Sequence, residues 1–249
     1  GAIGTVRKVH CWTDRPIWPQ GIKNRPENSP PVPSTLNWDL WLGPAPYRDY
    51  HPDYLPFRWR AWWDFGCGAL GDMGCHIIDF PFWALKLDAP TSVEGYSSPV
   101  YEETAPVASM VTYNFKSGLD GNDVELIWYD GGLKPTVPEG LKSDIGIWDS
   151  IGCTLFEGDE GKLVYGYVKP KPILLKNGKE VDYELPKEMI PRSPGHYEEW
   201  INECKGSDAR AMSNFDYAGP LNETVLLGNV ALRAGQKINW DAKKMKVTN

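Results

Sequence analysis

No apolar run in the 249 residues approaches the ~20 needed to span a bilayer, so no membrane partner is expected. No cysteine pair has Cys-x-x-Cys spacing. The five cysteines, at 11, 67, 75, 153 and 204, are odd in number and lack the histidine partners of a zinc site. Neither a metal centre nor a disulfide framework is expected, and the thiols are read as free and mostly buried. Basic charge is also scarce. Lys+Arg total 26 against 33 Asp+Glu, a formal charge of −7 with no basic cluster, which argues against a nucleic-acid partner. No internal repeat is evident. The chain opens on Gly-Ala-Ile-Gly, with no initiator Met and no signal peptide, and reads as a piece cut from something longer. Its compartment, cytoplasmic or periplasmic, stays open.

Tryptophan and proline are abundant, at 12 and 22 residues. With 41% hydrophobic and 24% charged residues the composition is that of a soluble globular protein. Residues 14–61 form a Pro- and Trp-rich loop. Its Asp14–Phe57 part holds Pro16, Pro19, Pro26, Pro30, Pro31, Pro33, Pro44, Pro46, Pro52 and Pro56, a density that neither helix nor central strand tolerates. Yet Trp18, Trp38, Trp41, Tyr47, Tyr50, Tyr54 and Phe57 run through it, whereas a linker would be polar. A long ordered loop, packed on the body by its rings, is expected.

Thr5–Thr13 reads as a strand, and Gly66–Leu87 as a helix. Strands follow over Thr91–Ser97, Val107–Lys116 and Val124–Tyr129. Gly131–Ile147 is an excursion. Gly152–Glu157 and Lys162–Val168 flank one hairpin turn, and Pro172–Leu175 and Val181–Leu185 flank another at Asn177-Gly178. Tyr197–Lys205 is a helix with Ser193 as cap and Gly206 as stop. Pro220–Ala234 is a second, with Pro220 in its first turn, and Ile238–Trp240 a last short strand. One strand, a loop, a helix, many strands and then helices give an α+β class: a single domain over 1–249, a large open, mostly antiparallel sheet with helices on one face.

On a helix, Asp72, His76 and Asp79 share one face, while Leu70, Met73, Ile77, Ile78, Phe80, Phe82, Trp83 and Leu85 make the rest apolar. A narrow polar stripe on a buried helix either satisfies itself in the core or lines a cleft, and the residues alone leave both open. In a cleft, Asp72 would favour the protonated form of His76, which suits proton exchange with an alcohol or carbonyl. Pro81 should kink or end the helix near Phe80, which makes Asp79 the loosest member of the stripe. Gly66-Cys-Gly68-Ala-Leu-Gly71 is a literal G-x-G-x-x-G, with Asp88 and Glu94 about twenty residues on. No short buried strand precedes it and no βαβ repeat surrounds it. Close packing of the helix start is therefore preferred to dinucleotide binding.

The run Trp62-Trp-Asp-Phe-Gly-Cys-Gly-Ala-Leu-Gly-Asp-Met-Gly-Cys-His76 resembles the G-x-x-x-D-x-G-x-H helix motif of the Gfo/Idh/MocA oxidoreductases, here Gly68, Asp72, Gly74 and His76. Arg15–Gly21, Trp38–Pro46, Phe156–Gly161 and Leu221–Ala231 are similar to a bacterial branch of that family. The resemblance implies a C-terminal substrate domain, with the N-terminal dinucleotide-binding domain and its Glu-Lys-Pro lysine absent from this chain. It implies NAD or NADP bound mainly by that missing domain, His76 as acid/base and Asp72 as its orienting partner. It also implies a homo-oligomer formed through the open sheet face, and inactivity of this piece alone. A sugar or polyol offers flat C–H faces for aromatic rings and hydroxyls for polar groups, which makes Trp18, Gln20, Trp62, Trp63 and Asp64 candidate substrate residues. His196 sits at a helix start and is read as a cap-region residue, and His10 and His51 receive no role. Three functions stay open: an NAD(P)-dependent sugar or polyol dehydrogenase, a glycoside hydrolase that oxidises, eliminates, hydrates and re-reduces, and a non-catalytic carbohydrate-binding or assembly module.

Overall fold

A computed structural model describes residues 1–142, 146, 148, 151–167, 171–207 and 209–249. In chain order these form β1 (Val6–Thr13), α1 (Trp38–Leu42), α2 (Gly68–Ile77), α3 (Asp79–Ala84), β2 (Ser92–Ser97), β3 (Ser109–Lys116) and β4 (Asp123–Tyr129). Then come β5 (Gly152–Gly158), β6 (Gly161–Gly166), β7 (Ile173–Lys176), β8 (Lys179–Val181), α4 (His196–Cys204), α5 (Phe215–Ala234), β9 (Ile238–Asp241) and β10 (Lys246–Val247). Among the described residues the strands make one sheet, ordered β10-β9-β2-β3-β4-β1-β5-β6-β7-β8. β1 and β4 pair in parallel and the remaining neighbours are antiparallel. The expected α+β architecture, a large open and mostly antiparallel sheet, is present.

Alternation sets the two faces. In β3 the buried Val111, Tyr113 and Phe115 point to the helices, and in β4 Val124, Leu126 and Trp128 do the same. They form the main core with Leu70, Met73 and Ile77 of α2, Phe82 of α3, and Leu221, Val225 and Leu232 of α5. Among the described residues the opposite face is covered at one end. There Leu141 and Trp148 pack on Trp12, Cys153, Leu155, Val164 and Leu175, and the Trp12 indole N–H donates to the Trp148 carbonyl at 3.0 Å. The rest of that face presents Lys8, His10, Thr112, Asn114, Glu125 and Ile127, none fully buried.

The 14–61 loop builds a third cluster from Trp18, Trp38, Leu42, Tyr54, Ala61, Trp62 and Ala69. It is not wholly irregular. Between Pro33 and Pro44 the chain is free of proline, and there α1 forms, with the Asn37 side chain accepting from the Leu40 N–H at 3.0 Å. Arg48 anchors the cluster. Its guanidinium is 3% exposed, pairs with Asp64, lies 3.3 Å from Glu103, and sits within 4.9–5.9 Å of the Phe65, Tyr54 and Trp62 ring centres.

Four boundaries differ from expectation. The single helix over Gly66–Leu87 is two helices that divide at Ile78. Pro81 has no N–H for the Ile77 carbonyl four residues back, and the Cys11 thiol lies 4.0 Å from that oxygen instead. The cap residue of α4 is Gly195, not Ser193, whose hydroxyl donates to Glu199 at 2.5 Å. Helix α5 begins at Phe215, capped by Asn214, so Pro220 lies beyond its first turn. The Asn177-Gly178 turn, both residues at positive φ, pairs Lys176 with Lys179, so β8 begins at once and ends at Val181, where the expected strand over Val181–Leu185 would begin. Val168, the expected end of β6, and part of the 131–147 excursion lie outside the described residues.

Candidate functional site

Helix α2 turns Leu70, Met73 and Ile77 into the core and leaves Asp72 half-buried and His76 exposed. Its position is fixed from α5, where the Asn229 side-chain amide donates to the Cys67 carbonyl at 2.9 Å. Asp72 and His76 stand one turn apart on the side away from the core. The carboxylate of Asp72 is held by a residue absent from the sequence-based candidates. Arg60, on the 3₁₀ turn Arg58–Ala61, donates its Nε–H to Asp72 Oδ1 at 2.8 Å. The Arg60 guanidinium lies 4.4 Å from the Phe57 ring centre, 4.6 Å from Trp59 and 5.6 Å from Trp18. Aromatic faces and a charge-assisted bond thus fix this fork in place.

The His76 ring meets Tyr167, just beyond β6, edge-on at 5.9 Å. Asp79 is engaged elsewhere. The Tyr217 hydroxyl of α5 donates to its Oδ1 at 2.5 Å, and burial, then Asp79 itself, pushes the Tyr217 hydroxyl's pKa up, so it remains a donor. The expected stripe is therefore divided: Asp72 goes to Arg60, Asp79 to Tyr217, and His76 is left open to solvent.

The five candidate substrate residues separate by burial. Trp18 is 4% exposed and its indole N–H donates to Gln20 Oε1 at 2.8 Å, while Gln20 Nε2 donates to the Pro106 carbonyl at 2.6 Å. Trp62 is 1% exposed and donates to the Asp53 carbonyl at 3.0 Å, so neither indole offers a free face. Half-buried Trp63 donates to the Tyr101 carbonyl at 3.1 Å, with the Arg233 guanidinium 5.3 Å from its ring centre. Asp64 reaches the surface. His10 faces the Tyr129 hydroxyl at 3.0 Å, and the His51 ring accepts from the Asp53 N–H at 3.1 Å. The His196 ring lies 4.1 Å from that of its neighbour Tyr197, tilted by 37°.

The glycine motif does not fit a dinucleotide pyrophosphate. A methyl group on Gly66 would lie 2.7 Å from the Arg60 backbone, and one on Gly68, at φ +67°, 2.5 Å from Ala105. These glycines admit neighbouring protein rather than a ligand, and the segment before them is a 3₁₀ turn instead of a strand.

Residues 5–151 match the family described as "Oxidoreductase family, C-terminal alpha/beta domain". The chain belongs to this Gfo/Idh/MocA family. An NAD-binding protein from Listeria innocua shares the fold, with a TM-score of 0.55 at 11% identity over 95% of this chain and 56% of its own. The super-repressor mutant of Gal80p from Saccharomyces cerevisiae does so with a TM-score of 0.50 at 12% identity, over 96% of this chain and 59% of its own. The chain thus spans a little over half the length of these structures. No curated protein matches it. Since one neighbour is described as a repressor, fold alone does not carry an activity.

Proposed function

We propose that this chain is the substrate-side domain of an oxidoreductase acting on a sugar or polyol hydroxyl, with NAD or NADP held by a separate dinucleotide-binding domain. The supporting observation is His76, exposed at the end of an otherwise buried helix and one turn beyond an Asp72 that Arg60 holds by a 2.8 Å bond. In this proposal the His76 imidazole takes the proton that leaves the hydroxyl and returns it in the reverse direction. Asp72 supplies fixed negative charge beside the imidazolium that forms. Arg60 positions Asp72, and its aromatic cage holds the whole arrangement still, which supports the proximity that the reaction needs.

The test is a substrate panel offered to the chain joined to its dinucleotide-binding domain. Reduction of NAD⁺ or NADP⁺ dependent on a neutral sugar or polyol is the expected result. Turnover confined to substrates without a hydroxyl would contradict it, and so would release of a free sugar from a glycoside with no net cofactor reduction.

We further propose a homo-oligomer joined through the uncovered sheet face, where Met110 and Ile127 lie among charged residues.

A further inference from the structure

The 14–61 loop and the entry to α2 line an open surface cavity of about 370 Å³. Its walls are Trp41, Trp59 and Phe65, with Leu42 and Pro44 behind and Asp64 as the acid at its edge. That volume falls in the range of small-molecule sites, roughly 300–1,000 Å³. Neither Asp72 nor His76 lines it. The three aromatic rings are half-buried, so each offers surface to the cavity. They are also braced. Trp41 stacks on Trp38 at 4.8 Å and 10°, and meets Phe65 edge-on at 4.8 Å. The Trp38 indole N–H in turn donates to the Arg48 carbonyl at 2.8 Å.

The charge of the site is defined. Asp64 Oδ2 is held by the Nη2 of Arg48, whose side chain is 3% exposed. The carboxylate is therefore fixed and neutralised, and its second oxygen is available as an acceptor. Glu103, also near Arg48, is paired in addition with Arg25 at 2.7 Å. An aromatic-walled cavity with one compensated carboxylate lacks the net negative field that would select a cation. It offers an anion no cationic side chain on its walls, and an apolar ligand would strip water from that carboxylate without replacing its bonds. A neutral ring with flat C–H faces and hydroxyl donors meets every wall.

We propose that this cavity is a saccharide subsite distinct from the His76 site, with Trp41 and Trp59 stacking on a pyranose and Asp64 accepting from its hydroxyls. The choice of ligand class rests in part on the polyol proposal above. The two sites adjoin through Trp59, which also packs against Arg60, the partner of Asp72. A substrate with two sugar rings is therefore favoured over a single free ring.

Ligand-observed saturation-transfer NMR on the 249-residue chain, with cellobiose, maltose and methyl glucoside as probes, tests the proposal. Transfer to ring C–H protons is expected, with at least one disaccharide bound more tightly than methyl glucoside. Trp59→Ala and Trp41→Ala should weaken binding about tenfold, from lost apolar contact and stacking. Trp59→Phe should retain most of it, which separates loss of the wall from loss of the fold. No transfer from any probe, or transfer that survives both Trp59→Ala and Trp41→Ala, would overturn the subsite. Polyol oxidation by the enzyme without binding here overturns the subsite alone. Binding here without polyol oxidation removes the oxidoreductase proposal alone.

Discussion

Arg48 connects the Pro-rich loop to the rest of the molecule. Removing its charge leaves Asp64 and Glu103 beside a desolvated aromatic cluster. Arg48→Met should therefore cost about 1.5–3 kcal/mol in urea unfolding, the range of a lost charge-assisted bond, because Asp64 reaches the surface and Glu103 keeps Arg25. Asp130 is the second residue with a defined electrostatic role. One oxygen accepts from the Ser109 N–H at 2.5 Å, and the other from the Ser109 hydroxyl at 2.8 Å and the Trp128 indole N–H at 2.9 Å. Burial pushes its carboxyl up from 3.8 to about 6, against the pull of those bonds. A carboxyl with a raised folded pKa binds its proton more tightly when folded. Its stabilising contribution is full below the unfolded value and is lost as pH rises through about 6. The urea midpoint of the wild type should carry a falling component between these two values, and Asp130→Asn should flatten it. An unchanged slope in the variant would assign that component to other groups.

At the scale of elements, α5 is secured at both ends. The Asn214 side chain accepts from the Asp216 N–H at 3.0 Å, and Gly235 closes the helix at φ 64°, where its N–H donates to Ala231 at 3.0 Å. Asn214→Ala and Gly235→Ala should each cost about 1 kcal/mol, measured by thermal unfolding, and the two should add because the sites share no partner. The strands were legible because burial alternates along them, as in β3. The hairpins at Gly158–Gly161 and Asn177-Gly178 were legible from their turn residues. The start of α5 was not, because Phe215 is exposed and Gly219 and Pro220 interrupt the pattern that would have revealed it. The division of α2 from α3 was legible only as a proline warning, since the apolar residues continue through it. In the candidate site, Asp72 and His76 share a helix face by spacing alone. Arg60 reaches Asp72 from a turn, Tyr167 reaches His76 from a strand end and Tyr217 holds Asp79 from a distant helix, and no local pattern announces such contacts.

At the scale of the whole molecule, one sheet face is closed by helices and, among the described residues, the other is covered where Trp148 and Leu141 pack. Light scattering should report an oligomer that dissociates when Ile127, at the middle of the uncovered face, is changed to Asp, because a buried unpaired charge opposes association. A monomer at every concentration would contradict that arrangement. The central claim concerns His76. In the chain joined to its dinucleotide-binding domain, His76→Ala should lower kcat for polyol oxidation by about 10²–10⁴-fold, with cofactor affinity retained. Wild-type turnover in that variant would contradict the account.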